Sequence, residues 1–312
     1  VLRNNLKQTL INKNCLNLNH KNNVGGVVYS AKRIGADIAG SGYIHSSSLV
    51  VGDSYKNEDK YGFTAETNVI FPHFMKSYDK LDRSFKKVSL YGMNMVDTGS
   101  VTSRFGTDTT TLDYDKANFQ VYAIRDDHNS RNVSFQLTSS LGPGFGAELT
   151  SSTFLNVYNN ELWNLSVRLK PARYPFAGFV SGAAPTNDNY DLVFSGINTI
   201  STAIANSFTV TASIDSQTAR NFLGAAKRLY VGAHRTNVTG AIEHKSDVLV
   251  SSTKCWLLYL QDDDLLQHTL DPENTGISGS YQNLSALSWY DTNSEMTRNE
   301  TIAMNRNFLA LT

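Results

Sequence analysis

Every second residue is apolar in the most regular stretch of this chain, Glu161–Pro171 (ELWNLSVRLKP). The apolar set is Trp163, Leu165, Val167 and Leu169. The residues between them are polar or charged, and a period of two predicts a β-strand with one buried and one solvent-facing side. Because proline cannot donate a hydrogen bond to a β-ladder, we expect the strand to end at Pro171.

Alternating stretches recur through most of the chain, separated by turns rich in glycine, asparagine and serine. No helical pattern of about 10–15 residues separates them, so we expect antiparallel pairing rather than βαβ units. At Asp262–Leu270 three aspartates precede apolar residues, which is typical of the first turn of a short helix. The predicted strands are 27–31, 42–52, Tyr61–Phe71, Phe85–Met95, Asn118–Ile124, Asn132–Leu137, Phe154–Tyr158, Leu162–Leu169, Tyr190–Ser195, Ser207–Ile214, Leu229–Ala233, Asp247–Val250 and Lys254–Tyr259.

The turns between strands predict the fold class. We expect a hairpin of Asn118–Ile124 with Asn132–Leu137 around a solvated turn, and a second hairpin around Asn159-Asn160. The predicted fold is all-β, an antiparallel two-sheet jelly-roll sandwich with one short helix near the C-terminal end of the domain. We expect an N-terminal arm at 1–23, the sandwich at 24–270, and an extension at 271–312 that contacts a partner or leads into another domain.

Composition argues against several classes of protein. Lys+Arg and Asp+Glu both number 28, so the chain lacks the basic excess that is typical of nucleic-acid binding. No apolar stretch approaches the roughly 18 residues of a membrane-spanning helix. With two cysteines the chain is not a disulfide scaffold, and Cys255, inside an apolar strand pattern, is expected to be a buried thiol.

Three segments resemble the concanavalin A-like lectin/glucanase superfamily, particularly its laminin-G-like members. NNELWNLSVRLKP (159–171) is similar to a turn, tryptophan and strand unit of that superfamily. KRLYVGAHRTNVTGAIEHKSDVLV (227–250) is similar to a later unit with a buried aspartate, and TKCWLLYLQDDDLLQH (253–268) to the closing strand and helix. The positions to which the resemblance gives a structural role are Trp163, Gly232, Gly240, Asp247 and Trp256.

The resemblance implies a jelly roll with one concave face. In this superfamily that face or its rim loops bind carbohydrate in some members, some members bind calcium, and many use the domain only for protein contacts. The segment GAHRTNVTG with the following SDVLVSSTKCW also resembles lectin-like domains in virion structural proteins of tailed bacteriophages. It implies contacts with other virion proteins, self-association and attachment to a host-surface glycan.

A sugar site needs aromatic rings beside polar side chains on a rim, and two loops combine them. The candidate carbohydrate-binding residues are Arg173, Tyr174, Phe176, Asn187, Asn189, Tyr190, His234, Arg235 and Asn237. The alternative for each aromatic residue is packing against the sandwich end or a neighbouring subunit. No cofactor is expected, and among ions calcium fits best, with Asp188 and Asp191 as candidate ligands.

Catalysis is not predicted. Glucanases of this superfamily place two glutamates on one face of a strand through a Glu-x-Asp-x-x-Glu motif, and none of the eight glutamates here has an aspartate two residues later. Glu243 and His244 are adjacent, and neighbouring residues of a strand point to opposite faces, so a zinc site is not predicted there.

The sequence therefore predicts a non-enzymatic structural or adhesion protein of a tailed-phage particle, located in the virion. The alternatives are a free or cell-surface lectin module, secreted or surface-bound, and a polysaccharide-cleaving enzyme.

Overall fold

A computed structural model gives the fold. It describes residues 63–73, 85–96, 112–127, 130–139, 144–172, 189–215, 218–219, 222, 227–235, 242–256, 259–274 and 276, with the short strands 16–17, 27–28 and 302–307. These residues form two antiparallel β-sheets packed as a sandwich and one short helix, as the sequence predicts. The predicted strand 42–52 lies outside the described residues.

The first sheet, sheet A, contains seven strands within the described residues, in the order β1-β14-β3-β8-β9-β10, with β15 also paired to β14. Its strands are β1 (Leu16–Asn17), β3 (Phe63–Phe71), β8 (Glu161–Pro171), β9 (Tyr190–Ile200), β10 (Ala203–Ile214), β14 (Leu249–Trp256) and β15 (Ile302–Asn307). The predicted arm and the predicted extension each contribute one strand, and both strands pair with β14.

The second sheet, sheet B, has six strands within the described residues, in the order β2-β11-β4-β5-β6-β7. Its strands are β2 (Val27–Val28), β4 (Lys87–Val96), β5 (Leu112–Ile124), β6 (Ser134–Thr138), β7 (Glu148–Thr150) and β11 (Lys227–Val231). A separate two-stranded ribbon follows β11 and consists of β12 (His234–Arg235) and β13 (Ile242–His244).

Aromatic rings fill the space between the two sheets. The ring centroids of Phe135 from sheet B and Trp163 from sheet A are 4.8 Å apart, and those of Phe135 and Phe208 are 5.5 Å apart. The hydroxyl of Tyr91 crosses the core to the carbonyl oxygen of Leu165, at 3.1 Å. This interior follows from the apolar half of each alternating pattern, because alternate side chains point to the same face.

The polar face of β8 is buried, so the predicted solvent-facing side is wrong. Asn164, Ser166 and Arg168 are each 1% exposed. Helix α1 (Asp262–Leu270) and the chain around it cover this side of sheet A, where Arg168 donates to the carbonyl oxygen of Leu260 at 2.9 Å. Most polar atoms of this face bond one another or the covering segment, which limits the cost of burying them. Oδ1 of Asn164 and Nε of Arg168 are buried without a hydrogen-bond partner among the described residues.

Glu66 of β3 is the centre of this buried polar layer. Its Oε1 atom lies 2.7 Å from Nδ1 of His268 and accepts from the indole N–H of Trp256 at 2.9 Å. Its Oε2 atom accepts from Asn164 at 2.9 Å. His268 belongs to α1, so the layer fastens the helix to sheet A. The predicted short helix is therefore confirmed, with Asp264 accepting from the backbone N–H of Gln261 at its start.

The predicted hairpins have different outcomes. The predicted hairpin of Asn118–Ile124 with Asn132–Leu137 is confirmed, because β5 and β6 pair antiparallel, with Ile124 opposite Ser134 next to the turn. The second is wrong, because 154–158 forms turns with one isolated bridge, Val133 to Phe154, and β8 pairs instead with β3 and β9. Asn156 and Asn160 have positive φ angles of 58° and 62°, a conformation that interrupts a strand. Cys255 is fully buried in β14, as predicted.

Candidate functional site

The outer face of sheet B carries a group of rings beside the β12–β13 ribbon. Val121 of β5 and Leu229 of β11 point into the core, so their neighbours Tyr122 and Tyr230 point to the opposite side. His234 and His244 face each other across the ribbon. We call Tyr122, Tyr230, His234 and His244 the histidine–tyrosine cluster.

Ring contacts hold the histidine–tyrosine cluster together. The hydroxyl of Tyr122 and Nδ1 of His234 are hydrogen-bonded at 2.9 Å. The ring of Tyr230 stacks on His234 with centroids 5.8 Å apart and an interplanar angle of 11°. The ring of His244 packs edge to face on Tyr122, with ring centroids 5.2 Å apart, and its centroid lies 6.2 Å from that of His234. Each ring therefore contacts at least one other, an arrangement that favours a fixed geometry.

Two charged side chains border the cluster. The ammonium group of Lys87 lies over the ring of Tyr122, 4.0 Å from its centroid, in a cation–π contact. Oε2 of Glu243 lies 3.6 Å from Nδ1 of His234. The Glu243 side chain is 45% exposed and the His234 side chain 13% exposed, so the carboxylate reaches solvent while the imidazole is mostly covered.

Burial keeps both histidines neutral at pH 7. Burial, with help from His244 and Lys87, lowers the pKa of His234 to about 4. Burial and Lys87 also lower the pKa of His244. The close approach of His234 and Glu243 is therefore not an ion pair at neutral pH, since the imidazole carries no charge there. Burial and the nearby Glu243 carboxylate raise the pKa of Tyr122, so its hydroxyl stays protonated.

Glycine at two positions allows this arrangement. Gly232 has a φ of 89°, in the left-handed region that favours glycine, and it turns the chain between β11 and His234. Ser89 donates to its carbonyl oxygen at 2.6 Å. A Cβ atom on Gly92 would lie 2.5 Å from Oε1 of Gln120 and 2.6 Å from both the Tyr230 hydroxyl and the backbone carbonyl oxygen of Phe119. A larger residue there would therefore force a shift in this part of sheet B, where Tyr230 lies.

A buried ion pair anchors the segment that follows β13. Arg125 pairs with Asp247, and the hydroxyl of Tyr158 donates to the same carboxylate at 2.7 Å. The guanidinium of Arg125 also stacks on the ring of Tyr158, 3.6 Å from its centroid. Burial disfavours a charged guanidinium here, yet Tyr158 and Asp247 together raise the pKa of Arg125, so the pair holds Arg125 in its charged form. The partners of Asp247 are therefore side chains from β5 and the turn before β8.

Arg125 is the first residue of the polar turn that the sequence predicts between β5 and β6, and the sequence did not indicate that its side chain is buried. It is 1% exposed, while Asp126 and Asp127 next to it are exposed. The sequence contains no local signal for this difference, because the burial of Arg125 depends on Asp247, more than a hundred residues later in the chain.

The structure separates the sequence-predicted sugar-binding residues. His234 joins the histidine–tyrosine cluster, and the backbone of Arg235 continues β12. Asn189 is exposed before β9, whereas Tyr190 is 3% exposed and belongs to the core, where its ring has no free face for a sugar. The predicted residues Arg173, Tyr174, Phe176, Asn187, Asn237 and Gly240 lie outside the described residues.

The remaining predicted positions lie as follows. Trp163 and Trp256 are fully buried, Trp163 between the sheets and Trp256 against α1. Of the two candidate calcium ligands, Asp188 lies outside the described residues, and a carboxylate oxygen of Asp191 is 4.0 Å from the ammonium of Lys170. Within the described ranges, no three His, Cys, Asp or Glu side chains are grouped so that they could hold a metal ion.

Sequence reasoning missed four members of the site: Lys87, Tyr122, Tyr230 and His244. Three of them occupy outward positions of alternating strands, which is a weak signal because such positions are commonly just solvent-exposed. Their association depends on β4, β5 and β11 being neighbours in sheet B. The adjacency of Glu243 and His244 suggested opposite directions, yet both lie near His234.

Comparison with known proteins gives weak similarity. No protein-family model matches the chain, and no curated protein matches it. Solved structures that it resembles include an alginate lyase from Pseudomonas aeruginosa, with 9% identity, a TM-score of 0.28, and coverage of 62% of this chain and 63% of the lyase. Another is the receptor-binding domain of botulinum neurotoxin type G, with 9% identity, a TM-score of 0.30, and coverage of 67% and 37%.

A third similar structure is the CBM2 module of an evolved Dit from Lactobacillus casei phage J-1, with 9% identity, a TM-score of 0.28, and coverage of 64% of each chain. This chain thus spans less than two thirds of the length of each of these three structures. TM-scores at this level assign no family. Within the described residues, no helix is both long enough and apolar enough to cross a membrane.

Proposed function

We propose that this chain is a carbohydrate-binding β-sandwich of the concanavalin A-like superfamily that serves as a non-enzymatic structural and adhesion protein in a tailed-phage particle. The observation that carries the sugar-binding part is the partly exposed side of the histidine–tyrosine cluster, where His244, Lys87 and the Glu243 carboxylate lie beside His234. Tyr122 and Tyr230 are each 3% exposed, so they hold the imidazoles in place and offer no ring face of their own. Sugar sites combine ring surfaces, which pack on the C–H faces of a pyranose, with a few polar groups that bond its hydroxyls.

The chemistry of the cluster suits hydroxyl groups. A neutral imidazole has one donor and one acceptor nitrogen. Nδ1 of His234 is bonded to Tyr122, which leaves its Nε2 and the ring of His244 as partners for sugar hydroxyls. Lys87 and Glu243 add a cationic donor and an anionic acceptor, so the site carries no net charge at pH 7 when both histidines are neutral. A balanced site of this kind favours a neutral glycan over a strongly acidic one.

Binding is best tested with the full chain and a panel of neutral and acidic oligosaccharides, by two-dimensional NMR and calorimetry. We expect saturable binding of a neutral oligosaccharide, weakened at least tenfold by His244→Ala. His73→Ala is the matched control, since His73 is exposed and bonds Asn159 at the end of β3. Equal loss in both variants, or no binding by the unmodified chain, would refute the assignment of the site.

The virion part rests on the resemblance of residues 232–256 to phage structural domains and has its own test. Mass spectrometry of purified particles, with cryo-electron microscopy of the same sample, should detect the chain at a fixed copy number in an ordered position. Finding the chain only in the soluble fraction would favour the free lectin module, secreted or at a cell surface, while leaving the sugar site intact.

A second candidate function is polysaccharide cleavage by proton transfer, and one observation favours it. His234 and Tyr122 are hydrogen-bonded at 2.9 Å, which is the geometry of a pair that can relay a proton, and with a pKa of about 4 the neutral imidazole would be a weak base in it. Release of new chain ends from a polysaccharide by the unmodified chain, lost in His234→Gln and retained in His73→Ala, would establish it. Binding without any release supports the non-enzymatic proposal.

A further inference from the structure

β10 is the outermost strand of sheet A on one side. It pairs with β9 along 11 positions and, among the described strands, has no partner on its other edge. Ser207, Thr209, Thr211 and Ser213 are all exposed and point to one face. Within the described part of the chain, the backbone N–H and C=O groups on that edge of β10 have no strand to pair with.

The composition of β10 does not protect this edge. Its 12 residues, AIANSFTVTASI, include neither a charged residue nor a proline, the two usual devices against edge-to-edge pairing. The other described edges differ. β7 has three residues and begins with Glu148, β2 has two residues, and β15 contains Arg306. β10 is the only long, uncharged edge among the described strands.

The sequence of β10 is complementary to itself when two copies run antiparallel. With Thr209 opposite Thr209 of a second copy, Ser207 lies opposite Thr211 and Phe208 opposite Val210. Partners then share a face, because positions that differ by an even number point the same way. The hydroxyl-bearing residues then lie together on the outer face, and Phe208 and Val210 lie together on the core face. Sheet A of one copy would continue into sheet A of the other across a twofold axis.

Exposed apolar residues lie at the matching end of the strand. Ile204, which is 50% exposed, would lie near the end of the second copy's β10, beyond the register shift between Ile204 and Asn206. Ile214 at that end is buried in the core of its own copy, so the exposed contact comes from Ile204. Ile200, 60% exposed, lies on the same hairpin. Large exposed aliphatic side chains beside a free strand edge are typical of surfaces that are covered in an assembly.

We infer that β10 pairs with β10 of a second copy of this chain, antiparallel and centred on Thr209, so that sheet A runs continuously through a twofold dimer. The occupant is a second copy rather than a foreign strand because both faces of the pairing match without any charge. The inference is independent of sugar binding, since the histidine–tyrosine cluster lies on sheet B.

Sedimentation velocity and light scattering of the full chain over a wide concentration range test this inference. The unmodified chain should be a dimer. Thr209→Lys should be monomeric, because two ammonium groups would face each other at the axis. Thr153→Lys, at an exposed site outside β10, is the matched charge control and should remain dimeric. Near-UV circular dichroism checks that both variants fold.

Charge complementation gives the sharpest outcome. Thr209→Glu should also be monomeric alone, and a mixture of Thr209→Lys with Thr209→Glu should form a heterodimer, since opposite charges then meet at the axis. A monomeric unmodified chain overturns the inference. So does a dimer that survives Thr209→Lys, or a mixture of the two folded variants that stays monomeric.

Discussion

Removing the charge of Asp247 should destabilise the protein strongly, because it leaves the Arg125 guanidinium buried without its anion. The side chains of Arg125 and Asp247 are 0% and 5% exposed, so water cannot replace the lost partner. Breaking a buried pair in this way costs about 3–5 kcal/mol. The contact of Arg125 with the Tyr158 ring is present in both proteins, so it does not change this difference. We therefore expect Asp247→Asn to lower the free energy of unfolding by about 3 kcal/mol.

A double-mutant cycle separates the cost of leaving a buried charge unpaired from the cost of lost packing contacts. In Arg125→Met with Asp247→Asn, no buried charge remains, so the double variant should be more stable than the sum of the two single effects by at least about 1 kcal/mol. Urea unfolding at pH 7, followed by circular dichroism and extrapolated linearly, measures all four free energies. Losses below about 1 kcal/mol in both single variants, or strict additivity, would refute the reasoning.

Three further predictions concern His234, His268 and Gly92. The folded-state pKa of His234, about 4, lies below the ordinary 6.5, so the unfolded state binds more protons between these values. The unfolding free energy should therefore fall by up to about 3 kcal/mol as pH drops from 6.5 to 4, and the same fall in His234→Gln would contradict this. The ring nitrogens of His268 lie 2.7 Å from Oε1 of Glu66 and 2.7 Å from the carbonyl oxygen of Gly276, so His268→Gln should lower the free energy of unfolding by about 3 kcal/mol in urea. A loss below about 1 kcal/mol would contradict the importance of these two contacts. Gly92→Ala should shift the NMR signals of Tyr230 and His234 and leave those of Trp256 unchanged; unchanged Tyr230 signals would contradict the close approach.

The alternating pattern of Glu161–Pro171 was enough to predict a strand, its end and its core-facing residues. It did not indicate that Asn164 and Arg168 are buried. Alternation shows that a strand has an apolar and a polar face, but it does not show whether another element covers the polar face. That cover is α1, which reaches β8 only through tertiary packing. Likewise, the β5–β6 hairpin is local and was predicted, whereas the β3–β8 pairing joins residues about a hundred positions apart and was not.

The candidate site was predictable only in part for the same reason. His234 drew attention because it follows Gly232 in a loop of recognisable composition. Tyr122 lies 112 positions from His234 in the chain, and its hydroxyl reaches the imidazole only once β4 separates β5 from β11 by a single strand. Tyrosine is common in β-strands, so a single sequence does not show which tyrosines on an outer face belong to a functional site.

The strand order of sheet A has a consequence for synthesis on the ribosome. β3 pairs with β14, about 186 positions later, and β14 also receives β1 and β15 from opposite ends of the chain. Contacts this distant in sequence close large loops, which slows folding. While translation proceeds, β3, β8 and β9 are already available, but β14, which joins them to both chain ends, has not yet emerged. Until β14 is synthesised, the apolar face of β3, β8 and β9 remains exposed to other nascent chains. We therefore expect a holding chaperone to bind this face.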